Sequence, residues 1–337
     1  MEPERNQTQA LKPITTGTPA TVHTLAEVSD LIAAWHVSLD RLVAAGDLAR
    51  TTRNTYAIGA AKFTAWAETQ AIGQVTSDTI REWIASLRAA GHKAGSINTW
   101  LAGLRAFYSW ALGAGRMWID PTAGVKGDKR AGTKQKHKRQ ALTDREVMRV
   151  LSKPDTSTAT GTRDKAIVSI MAYTAARTIE VYRADLADLK SESGQLVLYV
   201  QGKGHDDKDE LIVIDNPQAA GALHDWLSTR GDRPGPLFLS QSDRSNGDRL
   251  SLRAIREIIK GYYKAAGVVG KDKTTHSLRH AAISNAIRHG APVQKVQAMA
   301  RHASIETTMI YYHEVDRLSD PAERYISYNG TDEKGHA

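Results

Sequence analysis

The chain has 337 residues, 41% of them hydrophobic and 24% charged, a length that accommodates two domains and a balance that excludes a disordered polymer. A formal net charge of +8 favours polyanionic partners, while the lack of cysteine rules out disulfides and thiolate metal sites and fits a reducing compartment. The sequence shows neither an apolar span of membrane length nor a hydrophobic leader, so a cytoplasmic protein without membrane contact is expected.

Residues 1–21 are rich in Thr, Pro and Gln without a period, the composition of a flexible arm. Leu25, Val28, Leu31, Ile32, Trp35, Leu39, Leu42 and Val43 then recur at helical spacing, and Thr24 with Glu27 forms a capping-box pattern that opens this first helix. Further helices are predicted over 52–70 (Tyr56, Phe63, Trp66), 77–90 (Ile80, Trp83, Ile84, Leu87) and 96–112 (Ile97, Leu101, Leu104, Phe107, Tyr108, Leu112), punctuated by Gly91, Gly95 and Gly113. Four helices with short connections make residues 22–125 a small helical bundle.

Residues 126–140 change character. The stretch 126–139 holds seven Lys or Arg (Lys126, Lys129, Arg130, Lys134, Lys136, Lys138, Arg139) and no apolar run. It cannot support a core and reads as a linker, either a solvated connector or a basic strap lying along a phosphate backbone.

A second domain is expected over 141–318. Thr143 and Glu146 open a helix with a capping-box pattern, and helices over 164–174 and from about 179 follow. The period then shortens: QLVLYV and ELIVI, flanking QGKGHDDKD, read as strands joined by Gly-rich turns. Helical patterns return near 219–229, 251–266, 277–289, 292–301 and 305–313. The predicted fold is therefore mainly α and two-domain, a small N-terminal bundle followed by a larger mixed helical domain with a small antiparallel sheet.

No GxxxxGK[ST], HExxH, GxSxG or strand-following GxGxxG run occurs. His276 and His280 stand four apart on one helical face, but no carboxylate ligand lies in the same segment, so a metal pair is not expected. His276 and Arg279 share a face at a helix start, behind Thr274 and Thr275. An imidazole and a guanidinium beside free backbone N–H groups suit a phosphate; a capping His beside a solvated Arg is the other reading of the same residues.

The string HSLRHAAISNAIRHGAPVQKVQAMARHASIETTMIYYH resembles the C-terminal signature of the tyrosine recombinase and phage integrase family. His276 and Arg279 match its His-x-x-Arg box, His302 the following His, Tyr311 the nucleophile and His313 the trailing His. Upstream, YTAARTIEVYRADLADL resembles the first box, with Arg177 at the catalytic Arg and Glu180 at the supporting acid. The strand–turn–strand element resembles the family's β-hairpin, whose Lys is expected at Lys203. The resemblance covers roughly residues 24–315, including the bundle, which is similar to the family's core DNA-binding domain.

What it implies is site-specific DNA recombination through a 3′-phosphotyrosine intermediate, without cofactor or metal, by way of a Holliday junction. The implied partners are double-stranded DNA with inverted-repeat sites and other copies of the chain, as a tetramer on two duplexes. Arg177, Arg279 and His302 would hold the phosphate, His276 would help take the phenolic proton, and Lys203 would protonate the leaving oxygen. Arg50, Arg53, Lys93 and Arg105 on the bundle, with the basic residues of 126–139, are the expected DNA contacts.

Because only about 21 polar residues precede the first helix, a simple recombinase without an arm-binding domain is expected. An integrase acting with accessory factors and a type IB topoisomerase are the alternatives. Two departures from the family pattern stand out. Its box I Gly and Leu are Ala175 and Ala176, a change expected to be mild because Ala suits helical geometry. Its Gly before the last His is Arg301, costly if that backbone is left-handed. Tyr312 beside Tyr311 points about 100° away, so only one of the pair can face the arginines. The tail over 319–337 has a short apolar stripe (Ala322, Tyr325, Ile326) that must dock, either on its own domain or on a neighbouring protomer.

Overall fold

The computed structural model describes residues 23–128, 141–202, 207–242, 247–270 and 272–319, together with 326, and for 313–319 the backbone alone. The arm over 1–21, the basic residues Lys129, Arg130, Lys134, Lys136, Lys138 and Arg139, Lys203, and the tail stripe apart from Ile326 lie outside the described residues. The chain divides into two compact units, Met1–Gly132 and Thr133–Ala337.

The first unit is a bundle of α1 (Leu25–Ala44), α2 (Arg50–Thr69), α3 (Ser77–Ala89) and α4 (Ala94–Gly113). The capping box forms as the sequence pattern requires: Glu27 N–H donates to Thr24 Oγ1 at 3.3 Å, and Thr24 N–H donates to Glu27 Oε2 at 2.9 Å. Its core sets Trp35 edge-on to Phe107 and Phe63 edge-on to Trp83, with ring centroids 5.5 and 5.4 Å apart. All four rings are sealed from solvent. Such pairs add about 0.5–1.5 kcal/mol each beyond their burial.

Close approach of α2 and α4 depends on two glycines. A Cβ on Gly59 would lie 2.4 Å from the Trp100 carbonyl oxygen, and one on Gly103 would lie 2.6 Å from that of Tyr56. A short antiparallel pairing of β1 (His23–Thr24) with β2 (Gln74–Val75), too short to leave a period in the sequence, ties the entry of α1 to the α2–α3 connection.

The sequence pattern starts the linker at Lys126, and Asp128 within that stretch is hydrogen-bonded to the bundle. Asp128 N–H donates to Asn98 Oδ1 at 2.7 Å, Asn98 Nδ2 donates to the Asp128 carbonyl at 3.0 Å, and Arg88 Nε donates to Asp128 Oδ1 at 2.7 Å. Composition marks this stretch as solvated, but specific hydrogen bonds to α3 and α4 hold Asp128 on the bundle, while Lys126 stays exposed.

The second unit contains α5 (Asp144–Leu151), α6 (Ala159–Thr174), α7 (Thr178–Arg183), β3 (Leu189–Glu192), β4 (Gln195–Val200), β5 (Glu210–Val213), α8 (Pro217–Arg230), α9 (Leu252–Ala265), α10 (His276–Arg288), α11 (Val293–Ala300) and α12 (Ile305–Ser319). Helix α6 is buried on nearly all sides, as befits a central element packed on α8 and α10. The sheet is antiparallel in the order β3–β4–β5, with Leu198 opposite both Leu189 and Ile212. Strand β3 was not foreseen; three of its four residues are exposed and give no alternation. Just before β5, Lys208 donates to Asp185 Oδ2 at 2.9 Å, to Asp188 and to the Arg183 carbonyl at 3.0 Å, which pins the returning strand to the segment after α7. A main core lies between α6, the sheet, α8 and α9. A smaller cluster, Ala175, Ile283, Ile287, Val296, Ala300 and Tyr311, is built from the end of α6 and from α10 to α12.

Candidate active site

Two helix ends build the site. Helix α6 closes on Ala175 at φ 54°, ψ 27°, and α11 closes on Arg301 at φ 52°, ψ 52°, both left-handed. The mildness expected for Ala175 is therefore corrected: the position is a left-handed cap, not helical, and a side chain there carries a cost of about 1–2 kcal/mol. Arg301 carries the same cost, as the sequence reading anticipated for a left-handed backbone.

These caps direct main-chain carbonyls at the arginines. Arg279, only 5% exposed, donates from Nη1 to the Ala175 carbonyl at 2.5 Å and from Nη2 to the Ala300 carbonyl. Arg177 donates from Nη2 to the Arg301 carbonyl at 2.7 Å and to that of Ala300 at 3.3 Å. Helix C-termini carry negative partial charge, so they hold cations without spending a carboxylate on each.

One buried carboxylate, Glu180, organises the rest. It accepts from Arg177 Nη1 at 2.6 Å and from the Arg177 N–H at 2.7 Å. Arg301 reaches it with Nη2 at 2.7 Å and Nε at 3.2 Å, through a side chain 4% exposed. Burial alone pushes the Glu180 carboxyl up, but the charge and hydrogen bonds of Arg301, then of Arg177, overcome it and hold it below the usual carboxylate range. Arg279 is pushed down to about 9, first by burial and then by Arg177 and Arg301 beside it. Three guanidiniums around one carboxylate leave a surplus of positive charge in a desolvated place, which an anion such as a phosphodiester would neutralise.

Beside this cluster lies Tyr311, 3% exposed, between two imidazoles. Its hydroxyl oxygen is 2.6 Å from His280 Nδ1, and its ring stacks on His302 with centroids 6.1 Å apart at 18°. His302 Nδ1 is in turn 2.9 Å from Oγ1 of the buried Thr308 in the first turn of α12. The phenol is close enough to Arg279 to bear electrostatically on it. Tyr312 instead donates its hydroxyl to the Ala291 carbonyl, at the turn between α10 and α11. The pair thus divides as helical geometry requires, with Tyr311 toward the arginines.

Arg177, Glu180, Arg279, His302 and Tyr311 are brought together. His276 is exposed at the first position of α10, the side chain of His313 lies outside the described residues, and so does all of Lys203. His280 and Arg301 are neighbours of the tyrosine and the carboxylate to which sequence reasoning gave no part in the chemistry. The four-residue spacing from His276 was the available signal for His280. On the bundle, Arg50, Lys93 and Lys126 are exposed. Arg53 and Arg105, expected as DNA contacts, already have partners. Arg53 forms a two-pronged pair with Asp40, both bonds 2.9 Å, and its hydrogen bonding holds the Asp40 carboxyl below the usual range. Arg105 donates to the Val125 carbonyl at 2.5 Å. Among the described residues no cluster of three or more His, Asp or Glu could hold a metal ion, and no helix is long and apolar enough to cross a membrane.

Residues 140–317 match the model of the phage integrase family, and residues 39–115 match the phage integrase N-terminal SAM-like domain. The tyrosine recombinase XerD of Bifidobacterium longum (strain NCC 2705) is 30% identical over 294 residues, 82% of this chain and 90% of that protein. XerD of Lacticaseibacillus casei is 30% identical over 274 residues, 79% and 88% of the two chains. In fold, the chain is similar to the XerH site-specific recombinase in a post-cleavage complex with a palindromic difH substrate (TM-score 0.66, 18% identity, 91% of each chain). It is also similar to the Tn1549 transposon integrase in complex with transposon right end DNA (TM-score 0.64, 17% identity, 88% of this chain and 98% of that one). With its boxes, fold and relatives in agreement, the chain belongs to the phage integrase family and is a tyrosine recombinase, an enzyme that breaks and rejoins DNA strands.

Proposed function

We propose that the chain is a simple site-specific recombinase, acting in the cytoplasm on short inverted repeats around one crossover region, as a tetramer on two DNA duplexes. The observation that carries the reading is the buried surplus of guanidinium charge beside Tyr311. Attack on a phosphodiester builds negative charge on the non-bridging oxygens. Arg177 and Arg279 hold those oxygens, and His302 donates a further hydrogen bond. Glu180 and Arg301 keep the arginines in place.

Tyr311 attacks phosphorus, forming a 3′-phosphotyrosine and releasing a 5′-hydroxyl that takes its proton from Lys203. His276, expected from the resemblance to help take the phenolic proton, is exposed at the start of α10 and is assigned a contact with the phosphate instead, and His313 supports the site. Because the phosphotyrosine conserves the energy of the broken bond, the 5′-hydroxyl of a partner strand reverses the step, and exchange proceeds through a Holliday junction without ATP. Arg50, Lys93 and Lys126 on the bundle and the basic residues of 129–139 contact the backbone of the duplex.

The test is a nicked suicide substrate made from inverted repeats found in the DNA beside the gene. A covalent adduct mapping to Tyr311, lost in Tyr311→Phe, is the expected result. Arg177→Ala should lower its rate of formation about 10²–10³-fold, as removal of an oxyanion donor does elsewhere. An adduct on Tyr312, or relaxation of arbitrary plasmid without junction formation, would overturn the reading. Footprinting discriminates the integrase alternative, which requires protection at distant accessory sites.

A further inference from the structure

We propose that His280 is a further catalytic residue, the group that takes the proton from the Tyr311 hydroxyl during cleavage and returns it during rejoining. This rests on the reading of Tyr311 as nucleophile and deepens it. A phenol has an ordinary pKa near 10, so at neutral pH it carries its proton and needs an acceptor at the moment of attack. A general base must stand within about 2.6–3.2 Å of the atom whose proton it takes. His280 Nδ1 meets that condition at 2.6 Å from Tyr311 Oη.

Helix packing supplies this distance. His280 lies one turn after His276 on α10, on the side that meets α12, and the two rings are tilted by 33° with centroids 5.4 Å apart. His276 is exposed at the beginning of the same helix, whereas His280 is half-buried against the tyrosine. The ring of Tyr311 is fixed in the small apolar cluster and stacked on His302, so the hydroxyl cannot swing freely between acceptors.

In the productive tautomer the proton of His280 sits on Nε2, leaving the lone pair of Nδ1 directed at the phenol. As Tyr311 Oη bonds to phosphorus, the Oη–H bond breaks and its proton moves to Nδ1. The bond from phosphorus to the 5′ oxygen breaks with its electron pair, and that oxygen is protonated by the separate acid. No oxidant or co-reactant enters. The imidazolium of His280 then faces the phosphotyrosine ester and donates its proton back to Oη when the ester is reversed, so one residue serves both directions.

The experiment measures single-turnover adduct formation on the suicide substrate, after the wild-type adduct has been mapped. His280→Ala should form adduct about 10²–10⁴ times more slowly, the range for a lost general base, with DNA affinity unchanged. His280→Asn keeps an acceptor near the position of Nδ1 but cannot carry a proton, and should remain slow. Replacing Tyr311 with 3-fluorotyrosine, whose phenol ionises more readily, should restore part of the rate in either variant. A substrate with a 5′-bridging sulfur, which needs no acid for its leaving group, should rescue Lys203→Ala but not the His280 variants. Wild-type rates in His280→Asn would show that the histidine only positions the phenol and would overturn the proposal, as would rescue by the bridging-sulfur substrate. A wild-type adduct on Tyr312 would instead overturn the underlying reading of the nucleophile.

Discussion

Arg301→Gly sets two opposed terms against each other, and the structure says which is larger. At φ 52°, ψ 52° the native arginine carries about 1–2 kcal/mol of left-handed cost, which glycine removes. Glycine in turn loses more freedom on folding, about 0.5–1 kcal/mol. The backbone term therefore favours the variant by at most about 1.5 kcal/mol. Against it stands a two-pronged ion pair whose side chains are 4% and 2% exposed. Breaking a buried pair costs about 3–5 kcal/mol, and the low end applies because Arg177 continues to neutralise Glu180. The net loss is about 1.5–3 kcal/mol, or roughly 3–12 °C in the Tm of a unit of this size.

Arg301→Ala loses the pair and keeps the left-handed cost, so it should melt below Arg301→Gly. Calorimetry on the full chain, with both variants beside the wild type, reads the two terms separately. Equal or higher stability in Arg301→Gly would refute the reasoning, because the Glu180 pair would then contribute nothing net.

Tyr312→Phe removes only the hydroxyl bonded to Ala291 and should cost about 1 kcal/mol in urea denaturation while leaving covalent adduct formation intact. The depressed pKa of Glu180 contributes stability that is present above its unfolded value near 4.5 and is lost as pH falls through its lower folded value. Acid unfolding of Glu180→Gln, followed by circular dichroism, should accordingly depend less steeply on pH below about 4.5 than that of the wild type. Gly59→Ala should destabilise the N-terminal bundle by about 1–3 kcal/mol, because its Cβ meets a backbone oxygen that cannot rotate away; an unchanged midpoint would show that α2 and α4 separate at no cost.

Much of this architecture is legible in the sequence because it rests on periodic or local signals. The bundle follows from aromatic and aliphatic residues at helical spacing, and its first helix begins where Thr24 and Glu27 require. The grouping of Arg177, Arg279, His302 and Tyr311 is legible because each sits in a short box of recognisable residues. What escaped depends on non-local geometry. Strand β3 reads LKSE and shows no alternation, so only its pairing with β4 makes it a strand. The attachment of Asp128 to the bundle rests on hydrogen bonds to residues thirty and forty positions away, invisible to composition. His280 needs the approach of α12, and the left-handed turn at Ala175 is hidden because alanine carries no sign of it. A glycine there would have pointed to positive φ, and the family pattern, which has one at that position, held the clue.

The way Arg279 is held bears on how such a site changes over evolutionary time. Its two acceptors are the carbonyls of Ala175 and Ala300, and carbonyls are common to all twenty amino acids. No single nucleotide change in either codon can delete them. What must be inherited is the path of the chain through two left-handed corners, and this protein keeps that path with an alanine at one and an arginine at the other. The receptor for the arginine is thus written in shape rather than in letters, which allows the surrounding alphabet to drift while the guanidinium stays where it is.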